Sequence, residues 1–141
     1  MQLFIGGSRA GKRYAVTQRF DIGHWTTAGT DLDVENEPGG LRECRVVDGW
    51  SHWIETLLDQ EPDDDRLRER LATRLDELLA WERSQRGEVV LIMLEMGRGI
   101  VPMDRSARRL RDLNGWLAQD AAARCERVWY VWNGLVKSLR F

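Results

Sequence analysis

A chain of 141 residues with 43% apolar and 31% charged side chains has enough apolar material for a self-sufficient core, burying roughly 70% of its unfolded surface. Its net charge of −2 excludes a global drive towards nucleic acid or anionic lipid. The longest apolar run, Val89 to Leu94, is far below the ~20 residues that span a bilayer.

Residues 1–141 are therefore expected to form a single domain. With no charged-then-apolar signal segment ahead of the first strand, the expected location is cytoplasmic. Cys44 and Cys125 have neither CxxC spacing nor a nearby histidine at metal-ligand spacing, and read as buried thiols.

The run Met1 to Ile5 leads directly into Gly6-Gly7-Ser8-Arg9-Ala10-Gly11-Lys12-Arg13. Strand, Gly, four residues, Gly-Lys, then helix is the pattern of a P-loop. Its backbone N–H groups turn inward around a phosphate while the lysine meets the outer phosphates. The nucleotide-binding candidates are thus Gly6, Gly7, Ser8, Arg9, Ala10, Gly11, Lys12 and Arg13, with ATP or GTP as ligand. Position 13 departs from the pattern. A Ser or Thr hydroxyl there would ligate Mg2+, and an arginine has no lone pair to offer a cation.

A helix should follow the loop. The stretch Asp21 to Leu41, with its Thr, Gly, Asp and Pro residues, reads as a long surface connection. Next come a strand at Cys44 to Val47, a helix from Gly49 to about Gln60, and a longer helix from Pro62. In the latter, Asp63, Asp64 and Asp65 suit the positive end of the dipole, and Leu67, Leu71, Leu75, Leu78 and Leu79 recur at helical spacing. Gly87 is placed to end that helix. Further on are a strand at Val89 to Leu94, a helix from about Arg105 to Arg124 and a strand at Val128 to Trp132. Strands alternating with such helices imply a three-layer α/β domain with a mostly parallel sheet.

A P-loop protein needs an acidic residue at the end of a neighbouring strand to orient magnesium. Asp48 closes its strand and reads either as that carboxylate or as a cap for the next helix. Glu95 follows the third strand and is placed to orient a nucleophile or hold a substrate hydroxyl. An ordinary loop carboxylate is the alternative. Arg98, Arg105, Arg108, Arg109 and Arg111 read as phosphate-pairing groups or as a solvated face. Trp50, Trp53, Trp81, Trp116, Trp129 and Trp132 fall on expected helices or strands and are assigned to core packing. His24 and His52 lack zinc-spaced partners, and no nucleophile elbow occurs.

Glu95-Met96-Gly97-Arg98-Gly99-Ile100-Val101-Pro102, then Arg108 to Asp112, Gly115, Gln119, Val128-Trp129, Gly134 and Lys137, resembles the adenosylcobinamide kinase / adenosylcobinamide-phosphate guanylyltransferase family. The phosphate-loop segment and Val46-Val47-Asp48 with Ser51 and Trp53 are similar to that family's motifs as well. The resemblance implies a RecA-like P-loop fold and a homotrimer. It also implies ATP- or GTP-dependent phosphorylation of adenosylcobinamide, followed by guanylyl transfer through a histidine. By the same resemblance Lys12 would contact the nucleotide phosphates, Asp48 would face the magnesium and Glu95 would stand at the site edge; Lys12 and Glu95 are the expected catalytic residues.

Departures accompany the match. The interval Gln18 to Arg42 is short for the family, and His24-Trp25-Thr26-Thr27 looks like the segment just downstream of the reactive histidine, so the guanylyl role is not given to His24. Leu94, Ala118 and Arg13 stand where the family pattern has Asn, Asn and Ser. Two expectations follow: a cobinamide kinase whose guanylyltransferase half is lost, or a catalytically impaired nucleotide-binding or regulatory relative.

Overall fold

The computed structural model describes residues 1–30, 44–85, 87–96 and 104–140. The remainder of the expected 21–41 loop, from Asp31 onwards, and the Gly97 to Pro102 motif with Arg98 lie outside the described residues.

Among the described residues, six strands form one sheet in the order β2-β3-β4-β1-β5-β6. They are β1 (Gln2–Gly6), β2 (Ile22–Thr27), β3 (Cys44–Asp48), β4 (Glu88–Leu94), β5 (Arg127–Trp132) and β6 (Leu135–Arg140). All neighbours pair in parallel except β5 and β6. The helices are α1 (Lys12–Arg19), α2 (Trp50–Leu58), α3 (Asp64–Gln85) and α4 (Arg105–Arg124).

The central strands are apolar on both faces, as a parallel sheet covered on two sides requires. In β4, Val89, Leu91 and Met93 face the cluster built with Trp50, Ile54, Leu67, Leu71, Leu75, Leu78, Leu113 and Leu117 of α2, α3 and α4. Val90 and Ile92 face the opposite cluster with Phe4 and with Ala15 and Val16 of α1. The expected three layers are present. Asp63 accepts from the Asp65 amide at 2.9 Å at the start of α3, and Asp104 caps α4 by accepting from Ala107 at 3.0 Å, which supplies otherwise orphaned first-turn donors.

Three expectations need correction. Ile22–Thr27 is a strand rather than loop, although mostly exposed. Among the described residues it is an edge strand that pairs only with β3, so it carries no apolar alternation to reveal it. The strand β6 was not expected either. Asn133 and Gly134, at φ 48° and 75°, make the tight hairpin turn that an Asn-Gly pair favours. Finally, Trp132 is 60% exposed and does not join the core, because it alternates outward near the end of β5.

Close approach of strands explains Gly6. A Cβ there would lie 2.3 Å from the Val131 carbonyl oxygen of β5. Since backbone supplies the clash, Gly6→Ala is expected to destabilise the fold by about 1–3 kcal/mol, read as a lower denaturant midpoint.

Cys44 and Cys125 are buried, as expected. Burial first, with nearby carboxylates adding, pushes the Cys44 thiol up to about 11, and burial pushes Cys125 up to about 12. Both remain neutral thiols near pH 7. Native protein should therefore resist iodoacetamide, whereas denatured protein is labelled at both positions, as intact mass would show.

Candidate functional site: the phosphate loop and its ion pair

The site forms where β1, β3 and β4 end. From β1 the chain turns through Gly7 to Gly11 and enters α1 at Lys12. Gly11 has φ 90°, a conformation glycine adopts without steric cost, and the Ala15 amide donates to its carbonyl at 2.9 Å to begin the helix. Arg9 also takes a positive φ, 58°. The Ala10 carbonyl accepts from the Gly134 amide at 2.8 Å, so the β5–β6 turn supports the loop from behind.

Lys12 folds over the loop. Its Nζ donates to the carbonyl oxygens of Gly6 at 3.1 Å and Gly7 at 2.6 Å. Burial lowers its pKa from the ordinary lysine value, because desolvation disfavours the ammonium.

The neighbouring strand β3 delivers Asp48 to the same edge. Gly49 and then Trp50 follow, and the buried Trp50 indole donates to the Val47 carbonyl at 3.2 Å. That contact fixes the turn after Asp48. The helix cap is Gly49, with no side-chain capping bond, so Asp48 is not occupied in capping α2. It pairs instead with Arg13: Nη2 and Nε lie 2.7 and 2.9 Å from the same oxygen, Oδ2. The Arg13 guanidinium also stands over the Trp25 ring at 5.2 Å, in cation–π range.

A cleft of about 370 Å³ opens between these elements. The loop residues Arg9 to Tyr14, the segment Asp48 to Ser51, and Ile92 and Leu94 line it. Such a volume accommodates a small-molecule ligand.

Asp48 thus stands beside the loop carrying Lys12, as expected, whereas its pairing with Arg13 was not expected. The cleft lining includes Leu94 but not its neighbour Glu95. The Glu95 amide donates to the Gly6 carbonyl at 2.7 Å, while its carboxylate accepts from the Tyr130 hydroxyl of β5 at 2.7 Å. Buried Asn114 of α4 donates to the Leu94 carbonyl at 2.7 Å and steadies the end of β4. Tyr130 escaped the sequence reading, while Trp25 and Gly134 entered it only through the family resemblance, with no place at the loop. For Gly134 the Asn-Gly pair was the available signal.

The arginines of α4 separate by environment. Arg109 spans to Asp64 at 2.7 Å and to the Glu61 carbonyl at 2.7 Å, tying α4 to the α2–α3 connection. Arg111 pairs with Asp112 at 3.1 Å, and Arg105 and Arg108 are exposed. Phosphate recognition by α4 gains no geometric support.

The fit of a divalent cation can be judged from the donors present. Asp48 offers a carboxylate, but a guanidinium already sits on it, and position 13 supplies no hydroxyl. Among the described residues no cluster of three or more His, Cys, Asp or Glu side chains could hold a metal ion. The donor set therefore does not fit magnesium.

A glycine-rich loop between a central parallel strand and a helix, with its lysine at the carboxyl edge of the sheet, defines the P-loop class of α/β protein. The chain belongs to the cobinamide kinase / cobinamide phosphate guanyltransferase family, whose model matches residues 13–139.

Among curated relatives, the bifunctional adenosylcobalamin biosynthesis protein CobP of Pseudomonas aeruginosa is 34% identical over 143 aligned residues, covering 96% of this chain and 77% of the relative. The bifunctional adenosylcobalamin biosynthesis protein CobU of Escherichia coli is 34% identical over 80 residues, 55% of this chain and 44% of its own length. That of Salmonella typhimurium is 46% identical over 48 residues, 34% of this chain and 26% of its own. No described helix is long and apolar enough to cross a membrane.

Proposed function

We propose that this chain binds a nucleoside triphosphate on the Gly6 to Arg13 loop and transfers its terminal phosphoryl group to adenosylcobinamide, without the guanylyltransferase half of the family's chemistry. The observation that carries this reading is the placing of Lys12 at the carboxyl edge of the sheet, in one cleft with Asp48, while the Glu95 amide donates to the same Gly6 carbonyl that Lys12 meets, in a chain of this family. Residues 1–141 act as one nucleotide-binding unit around the six-stranded sheet of the described residues.

In the transfer, the substrate hydroxyl oxygen forms a bond to the terminal phosphorus while the bond from that phosphorus to the bridging oxygen breaks. The hydroxyl proton passes to Glu95, which Tyr130 orients. Lys12 leaves the Gly6 and Gly7 carbonyls and neutralises charge on the nucleoside diphosphate that departs with the bridging oxygen. Each role is supported by position at the sheet edge.

Guanylyl transfer needs a nucleophilic imidazole at the cleft. His24 pairs with Arg45, three residues before the Thr27–Asp48 pair at the sheet edge. At ~3.3 Å per residue that is roughly 10 Å short of it. This supports withholding the role from His24.

A second reading, nucleotide binding without turnover, is favoured by one observation: the Asp48 carboxylate is engaged by Arg13. Both are tested by incubating purified protein with ATP or GTP and adenosylcobinamide and looking for the phosphate ester by mass spectrometry. Product above a Lys12→Ala control supports the kinase. Nucleotide binding with no product overturns it in favour of the second reading.

A further inference from the structure

We propose that the guanidinium of Arg13, tethered by Asp48, takes the place of the divalent cation at this phosphate loop, so that a nucleoside polyphosphate binds here without magnesium. The inference rests on the reading of the loop as a nucleotide site and concerns how that site neutralises charge.

Position comes first. Arg13 directly follows the loop lysine and lines the cleft, in the place where a hydroxyl would otherwise hold the metal. Its side chain is 69% exposed, yet it is fixed from two sides. Asp48 Oδ2 accepts both Nε and Nη2, and the Trp25 ring lies beneath it at 5.2 Å. Aromatic and carboxylate together leave the planar fork little orientational freedom.

Donor arithmetic comes second. A guanidinium carries five N–H groups, and Asp48 engages one on Nε and one on Nη2. The remaining three are available to phosphate oxygens, which a planar fork meets in pairs.

Charge comes third. The cleft lining contains Arg9, Lys12 and Arg13 against Asp48, an excess of positive charge suited to a polyphosphate with no added metal. A divalent ion entering the same place would compete with Arg13 for Asp48 and stand beside a fixed positive charge. Asp48 thus changes role from metal ligand to anchor for an organic cation.

The test is calorimetric titration of the full chain with ATP, GTP and inorganic triphosphate, in excess chelator and in excess magnesium. Wild-type affinity should differ by less than about twofold between the two conditions, and Arg13→Ser should lose about tenfold or more in chelator while regaining affinity with magnesium. Arg13→Lys keeps the charge but not the fork, and should fall between them. Thermal melting identifies any variant that fails to fold, in which case Arg13→Lys and the wild-type comparison still decide.

Wild-type binding that collapses when magnesium is chelated would overturn the inference and leave the nucleotide site standing. Equal metal-free affinity of Arg13→Ser and wild type would overturn it too. No binding of any of the three probes in either condition would sink the nucleotide reading itself, and this inference with it.

Discussion

Replacing Lys12 by alanine is expected to leave the fold intact and lower the proposed phosphoryl transfer by about 10²–10³-fold, the usual loss when one well-placed charge-stabilising donor is removed from a site. The fold survives because the ammonium contributes only two bonds to loop carbonyls and is held at some desolvation cost. That cost gives a separate signature. Burial sets the Lys12 pKa below its ordinary value, so between the two values the unfolded chain binds more protons than the folded one. Stability contributed by this position therefore rises as pH climbs through that window. In Lys12→Ala the alkaline rise should be flatter, as melting temperature against pH would show. A variant that melts like wild type at every pH and keeps full turnover would contradict both roles.

Trp50→Ala is expected to cost about 3–5 kcal/mol, the range for emptying a buried aromatic site. Trp50 is 1% exposed and packs edge-on against Trp53 with centroids 6.0 Å apart. Truncation also strips the Val47 carbonyl of its indole donor. The damage should spread to the site, because Asp48 lies between Val47 and the first turn of α2. Urea denaturation measures the stability loss, and nucleotide titration under folding conditions the loss of anchoring. Trp50→Phe keeps much of the packing and removes only the hydrogen bond, so it should lose far less.

The phosphate loop was legible because its chemistry is local. Gly6, Gly11 and Lys12 must stand at fixed spacing for a strand to turn into a helix around an anion, and no distant residue alters that requirement. Asp48 and Glu95 were placed at the sheet edge for a similar reason: each follows an apolar run. The partner of Asp48 was not legible. Arg13 and Asp48 meet only because β4 separates β1 from β3 at a particular register, which no local pattern encodes.

The Tyr130 contact with Glu95 likewise depends on β5 lying on the far side of β1. Edge strands were the other loss. Strand β2 has too little burial to show a period, and β6 alternates weakly, with Leu135 and Leu139 exposed. Trp132 shows that residue type alone does not assign an interior position.

Strand β1 sits between β4 and β5, and the Ala10 carbonyl of the loop is bonded to Gly134. During synthesis, then, β1 is made ahead of residues 127–134 and must wait for them before its ladder and its backing are complete. Such long-range closure slows folding. It also means that a polyphosphate bound there, as proposed, would reward only the finished sheet, so ligand added during refolding should act as a clamp on the whole assembly rather than a nucleus for one corner of it.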